Sequence, residues 1–114
     1  MAKSVTIYHN PKCTTSCNVL AMIEGTGVKV EVVDYLKTGW TKPQLKALFA
    51  AAGLTPREAM RKKAAEDLGI SQKATAAQII DAMVEHPVLV ERPFVETGKG
   101  VRLCRPKDKV REIL

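Results

Sequence analysis

The chain has 114 residues, 46% of them hydrophobic and 26% charged, with a formal net charge of +6. That is one ordinary globular domain, long enough to bury a core without a metal or disulfide staple. No apolar run approaches the ~20 residues that span a bilayer, and the opening MAKSVTIYHN lacks the apolar stretch of a signal peptide. A cytoplasmic protein, not attached to membrane, is expected. The 3 cysteines are an odd number and do not suggest a disulfide framework. The positive charge favours an anionic partner. It is scattered along the chain, and aromatics are only 4%, which argues against nucleic acid stacked on aromatic platforms.

Ser4 to Tyr8 alternates and is β-prone, so it reads as a first strand, broken by His9-Asn10-Pro11. Val19, Leu20, Met22 and Ile23 have helical spacing, with Gly25 and Gly27 as the stop. Val28 to Val33 reads as a second strand, and a right-handed crossover makes the two strands parallel. A helical middle comes next. Thr41 and Gln44 form a capping box, with Gly53 as the stop. Thr55 and Glu58 offer another, with Pro56 at the first helical position, and that helix would carry Arg57 and Arg61 on one face. Thr75 and Gln78 open a third helix with the apolar pairs Ile79/Met83 and Ile80/Val84, closed by His86-Pro87.

The last third reads as strands again. Val88-Leu89-Val90 leads through Arg92-Pro93 to Phe94-Val95-Glu96. Gly98-Lys99-Gly100 is read as a three-residue turn into Val101 to Cys104, a hairpin. Pro106 opens a final short helix with Val110, Ile113 and Leu114 facing inward. The expected fold is α/β and thioredoxin-like: a four-stranded mixed sheet flanked by helices, with residues 41–86 inserted between a βαβ and a ββα unit. Residues 1–114 are expected to form a single domain.

Cys13 follows a strand and opens a helix. Unpaired N–H groups at a helix N-terminus stabilise a thiolate and bind anions. His9 lies upstream, and Thr14, Thr15 and Ser16 add hydroxyls beside the sulfur. The run His9-Asn10-Pro11-Lys12-Cys13-Thr14-Thr15-Ser16 resembles the active-site loop of the glutaredoxin-linked arsenate reductases, H-N-P-x-C-x-T-S. Pro56 to Arg61 is similar to that family's helical segment bearing an essential arginine. His86-Pro87 to Arg92-Pro93 resembles its H-P-x-x-x-x-R-P segment, and Arg102 to Pro106 its R-L-C-R-P run. The four motifs occur in order and cover nearly the whole chain.

The resemblance implies that Cys13 is the nucleophile, that His9 helps lower its pKa, and that Arg61, Arg92 and Arg105 surround the oxyanion with Thr14, Thr15 and Ser16. Guanidinium groups stay charged and fork onto tetrahedral oxyanions, which suits them to offset repulsion between a thiolate and arsenate. The resemblance also implies a cis bond before Pro93, glutathione as co-substrate, glutaredoxin as partner and a monomer. No motif implies a metal, flavin or nicotinamide site. Cys104 reads as structural.

Two positions depart from the family pattern: Thr14, where glycine is frequent, and Cys17, where arginine is general. Cys17 is a candidate resolving thiol, which would move the donor toward thioredoxin; otherwise it only replaces the arginine. Two related alternatives are a redox-sensing regulator that binds RNA polymerase and a glutathione-dependent thiol reductase with another substrate. The first uses Cys-x-x-Cys and the second departs from H-N-P-x-C, so both fit this chain less well.

Overall fold

The structure, a computed structural model, describes residues 4–114. They fall into two compact units, one of residues up to 38 together with 92–114, the other of residues 39–91.

The first unit holds the sheet. Strand β1 (Ser4–His9) leads into helix α1 (Thr14–Gly25), strand β2 (Lys29–Asp34) and the short helix α2 (Tyr35–Thr38). β1 and β2 pair in parallel with Val5 opposite Val30 and His9 opposite Asp34. The chain returns as β3 (Phe94–Thr97) and β4 (Gly100–Leu103). The sheet order is β2-β1-β3-β4, four strands, with β3 antiparallel to both β1 and β4. This is the mixed thioredoxin-like sheet that the sequence predicts.

Alternation along β1 sets which side chains enter the core. Val5, Ile7 and His9 are buried, while Thr6 and Tyr8 are half-buried on the opposite side. Val5 and Ile7 pack with Val19 and Ile23 of α1, Val95, Cys104, Val110 and Ile113 in one apolar cluster. Val110 lies in a terminal 3₁₀ segment, Lys107–Glu112, which packs against α1. The expected final short helix is this 3₁₀ segment; Val110 within it and Ile113 just after it join the cluster, and Leu114 packs against it partly buried. The β-hairpin is tighter than expected: Thr97 pairs with Gly100, so the loop is Gly98-Lys99 and Gly100 belongs to β4.

The second unit is helical: α3 (Lys42–Ala52), α4 (Lys62–Asp67) and α5 (Ala76–Glu85). Both predicted capping boxes on α3 and α5 close, with Thr41 accepting from the Gln44 N–H and Thr75 from the Gln78 N–H. Gly53 ends α3 at φ 71°, a left-handed conformation that only glycine adopts at no steric cost. Leu45, Leu48 and Phe49 of α3 and Ile79, Ile80 and Met83 of α5 are buried as the two helices pack.

Two expectations fail here for one reason. The Thr55–Glu58 box forms its two hydrogen bonds, 3.0 and 3.2 Å, yet no helix runs on from it through Arg61. Residues 88–90 form no strand either; Pro87–Leu89 is a 3₁₀ turn. Instead Met60 and Val90 form an isolated antiparallel bridge, with the Arg61 N–H on the Leu89 carbonyl at 2.7 Å and the Glu91 N–H on the Ala59 carbonyl at 2.8 Å. These pairings take the groups that a helical continuation would use. Arg57 and Arg61 therefore do not share a helix face. Arg57 lies in the turn and donates to the Ala74 carbonyl at 3.0 Å, while Arg61 is the extended N-cap of α4.

No helix of the described residues is long and apolar enough to cross a membrane.

Candidate active site

The loop between β1 and α1 is built by local hydrogen bonds. The Cys13 N–H donates to the Asn10 carbonyl at 3.0 Å, which closes a tight turn with Pro11 and Lys12 at its centre. Asn10 Oδ1 accepts the Lys12 N–H at 2.9 Å, the side-chain bond typical of asparagine in turns. The turn delivers Cys13 to the N-cap of α1 with an extended backbone, φ −102° and ψ 120°. The Cys17 N–H then makes the first helical bond, to the Cys13 carbonyl at 3.0 Å. No acidic residue stands in the first turn to offset the positive end of the helix.

Cys13 is 8% exposed. Burial alone would raise its thiol pKa. The Ser16 N–H, the charge and hydrogen bonding of Arg92, and the Thr15 N–H outweigh it, and the net shift is downward. The sulfur closes no cap hydrogen bond of standard geometry in the first turn, so the N–H groups act on it as oriented dipoles. Arg105 Nη1 reaches Cys13 Sγ at 4.0 Å and also donates to the Arg92 carbonyl at 3.1 Å. Cys13, Arg92, Arg105, Thr15 and Ser16 are thus gathered at one helix end, although residues 16 and 92 are far apart in sequence. Thr14 is exposed.

His9 and Ser16 form the buried floor. His9 Nδ1 lies 2.6 Å from Ser16 Oγ, which also accepts the Asn10 N–H at 3.0 Å. Burial lowers the His9 pKa, and the Asp34 charge only partly restores it, which favours the neutral ring. The ring contacts the Ser16 hydroxyl.

Cys17 is exposed, and its thiol donates to the Pro11 carbonyl at 3.4 Å. Cys104 is fully buried, with burial the main force that pushes its pKa up to about 12. All three cysteines are free thiols. Arg61, in the second unit, lines a recess of about 230 Å³ with Lys63, Asp67, Leu68 and Val88. The Arg92–Pro93 bond is cis, as the resemblance implies, and so is Arg105–Pro106, which no motif suggests. Among the described residues no group of three or more His, Cys, Asp or Glu could hold a metal ion.

Sequence reasoning gives Asn10 no role beyond its place in the motif, and passes over Asp34. The turn propensity of Asn-Pro is a signal that could have found Asn10. Asp34 carries no local signal, since only the β1–β2 register brings it beside His9.

Comparison with known proteins decides the family, since residues 8–113 match the ArsC family model. The chain belongs to the ArsC family. The ArsC relatives include arsenate reductase ArsI2 of Synechocystis sp., 57% identical over 96% of this chain and 81% of its own length. The arsenate reductase of Escherichia coli K12 is 44% identical over 97% of this chain and 81% of its own. Among solved structures, an arsenate reductase from Vibrio cholerae superposes with a TM-score of 0.93 at 39% identity, covering 100% of both chains. The ArsC assignment thus spans the sheet, the Cys13 loop and the helical unit alike.

Proposed function

We propose that this chain reduces arsenate to arsenite, with Cys13 as the nucleophile. The observation that supports this most directly is the pairing of a thiol whose pKa is lowered at a helix N-terminus with the Arg105 guanidinium 4.0 Å from its sulfur. One arrangement activates the nucleophile and offers charge to an incoming oxyanion.

The Cys13 thiolate attacks arsenic, forming an S–As bond while one arsenate oxygen leaves as water after protonation. Arsenic is still pentavalent at this stage. A second thiolate then attacks the Cys13 sulfur, an S–S bond forms, and the S–As bond breaks with its electron pair passing to arsenic. Arsenite leaves, and Cys13 remains as a mixed disulfide. Glutathione supplies the second thiol in this reading, and glutaredoxin removes the glutathionyl group by thiol–disulfide exchange. No bound cofactor is required, because the two electrons come from thiols. Arg92 and Arg105 hold the oxyanion. Arg61 joins them on the strength of its motif match, with residues 1–114 working as one monomeric cytoplasmic domain. His9 acts through Ser16.

A coupled assay tests the reading. Glutathione, glutaredoxin, glutathione reductase and arsenate are supplied, and NADPH loss is followed. Arsenate-dependent loss that disappears in Cys13→Ser is expected. No turnover with glutaredoxin or with thioredoxin overturns the proposal. Turnover with thioredoxin alone, lost in Cys17→Ser, would instead make Cys17 the resolving thiol.

A further inference from the structure

We propose that Asp34 is a positioning residue for the Cys13 site: it holds the His9 ring with its proton on Nε2, so that Nδ1 accepts the Ser16 hydroxyl proton and the Cys13 turn is anchored. The proposal rests on Cys13 being the nucleophile.

The register supplies the first observation. His9 and Asp34 are direct partners in the parallel β1–β2 pair, so their side chains leave the same face of the sheet. That face is the one on which Val5 and Ile7 pack against α1. His9 is 7% exposed and Ser16 0%, so little bulk water is available to satisfy either group. Asp34 Oδ1 is itself buried and has no hydrogen-bond partner among the described residues. A buried carboxylate oxygen without a donor is costly. The Nε2–H of His9 is the donor that its neighbour on the strand can present through one bridging water.

Proton counting then fixes the other end of the ring. Ser16 Oγ has one proton and two acceptor sites. One acceptor site is used by the Asn10 N–H at 3.0 Å. The 2.6 Å contact with His9 Nδ1 has either Ser16 or His9 as donor. If Nδ1 carried the proton, the bare Nε2 lone pair would face the Asp34 carboxylate, which is repulsive. With the proton on Nε2, Asp34 gains its donor, Nδ1 becomes an acceptor, and the Ser16 hydroxyl has a defined destination. One of its two lone pairs is then aimed at the Asn10 N–H. Asn10 is the residue whose carbonyl receives the Cys13 N–H. The sequence of contacts runs from Asp34 through His9 and Ser16 to the turn that seats Cys13.

The groups acting on the ring are Asp34 from β2 and Ser16 from α1, while Arg92 and Arg105 act on the sulfur. The neutral ring favoured by burial is the form in which the choice of tautomer matters.

The chain has 2 histidines, so a His86→Gln background leaves His9 as the single histidine. Nitrogen-15 NMR of that protein near neutral pH reads the tautomer directly, and the Nε2–H form is expected. An Nδ1–H form overturns the proposal without any further variant. Asp34→Asn removes the fixed charge at nearly constant shape. It is expected to give a tautomer mixture and to move the pH profile of Cys13 alkylation upward, with a several-fold loss of rate at mildly acidic pH. Asp34→Glu is expected to restore both. An unchanged tautomer and alkylation profile in Asp34→Asn overturns the proposal. None of these readouts needs arsenate, so failure of arsenate turnover would strike the proposed function and leave this inference standing.

Discussion

Arg105 Nη1 sits between Cys13 Sγ, at 4.0 Å, and the Arg92 carbonyl, at 3.1 Å. Its position is therefore tied by backbone to the second arginine that acts on the same sulfur. Removing either guanidinium withdraws positive charge from the thiolate and from any oxyanion approaching it. Arg92→Ala is expected to raise the Cys13 pKa, read from thiolate absorbance against pH. Both Arg92→Ala and Arg105→Ala are expected to lower kcat/KM for arsenate by ~10²–10³-fold, the usual loss when a preorganised donor to developing charge is deleted. Arg105→Lys keeps the charge and loses the fork, so it should recover only part of the activity. Unchanged kinetics in both alanine variants would place the oxyanion elsewhere.

The three thiols should react in a fixed order. Cys13 has a lowered pKa, Cys17 is exposed, and Cys104 is buried with its pKa raised to about 12. Brief iodoacetamide treatment at mildly acidic pH, then peptide mass mapping, is expected to show Cys13 labelled first. Cys104 should be labelled only after unfolding. Early labelling of Cys104 in the native protein would contradict its burial.

How much of the fold is legible in the sequence depends on how local each determinant is. The boxes at Thr41/Gln44 and Thr75/Gln78 and the stop at Gly53 involve residues within one turn, and they form as read. The Thr55/Glu58 box is also local and also forms, but the chain beyond it is diverted by the distant Met60–Val90 bridge. No periodicity in residues 55–61 announces a partner some thirty positions away. In the site, Cys13 and its hydroxyl neighbours are legible because a strand end leading into a helix start is a local pattern. Arg92 and Arg105 come only from motif resemblance, and Asp34 is hidden because strand register is a tertiary property. The helix α2, four residues long and directly following a valine-rich strand, has no capping or periodic signal of its own.

Ser16→Ala tests the floor of the site. The substitution leaves the Asn10 N–H and His9 Nδ1 without the hydroxyl they share, in a position with 0% exposure. Alanine suits a helix, so the loss comes from unsatisfied buried groups, ~1–3 kcal/mol. A lower urea midpoint with unchanged slope is expected. A midpoint equal to that of the unmodified protein would mean that the two groups find other partners.

Acid should destabilise the fold through His9 before most carboxylates titrate. Its pKa is lowered from the ordinary value of 6.5, with burial as the main cause. Between the folded value and 6.5 the unfolded chain binds more protons at this site than the folded one. Stability from this group is therefore complete above about pH 6.5 and is lost as the pH falls toward the folded pKa. Urea midpoints measured from about pH 7.5 down to about pH 5.5 should decline in the unmodified protein. In His9→Gln the same series should be flatter, whatever its starting stability. His86 is present in both proteins, so its contribution to the slope cancels. Equal slopes would show that His9 binds protons alike in the folded and unfolded chains, against its burial beside Ser16.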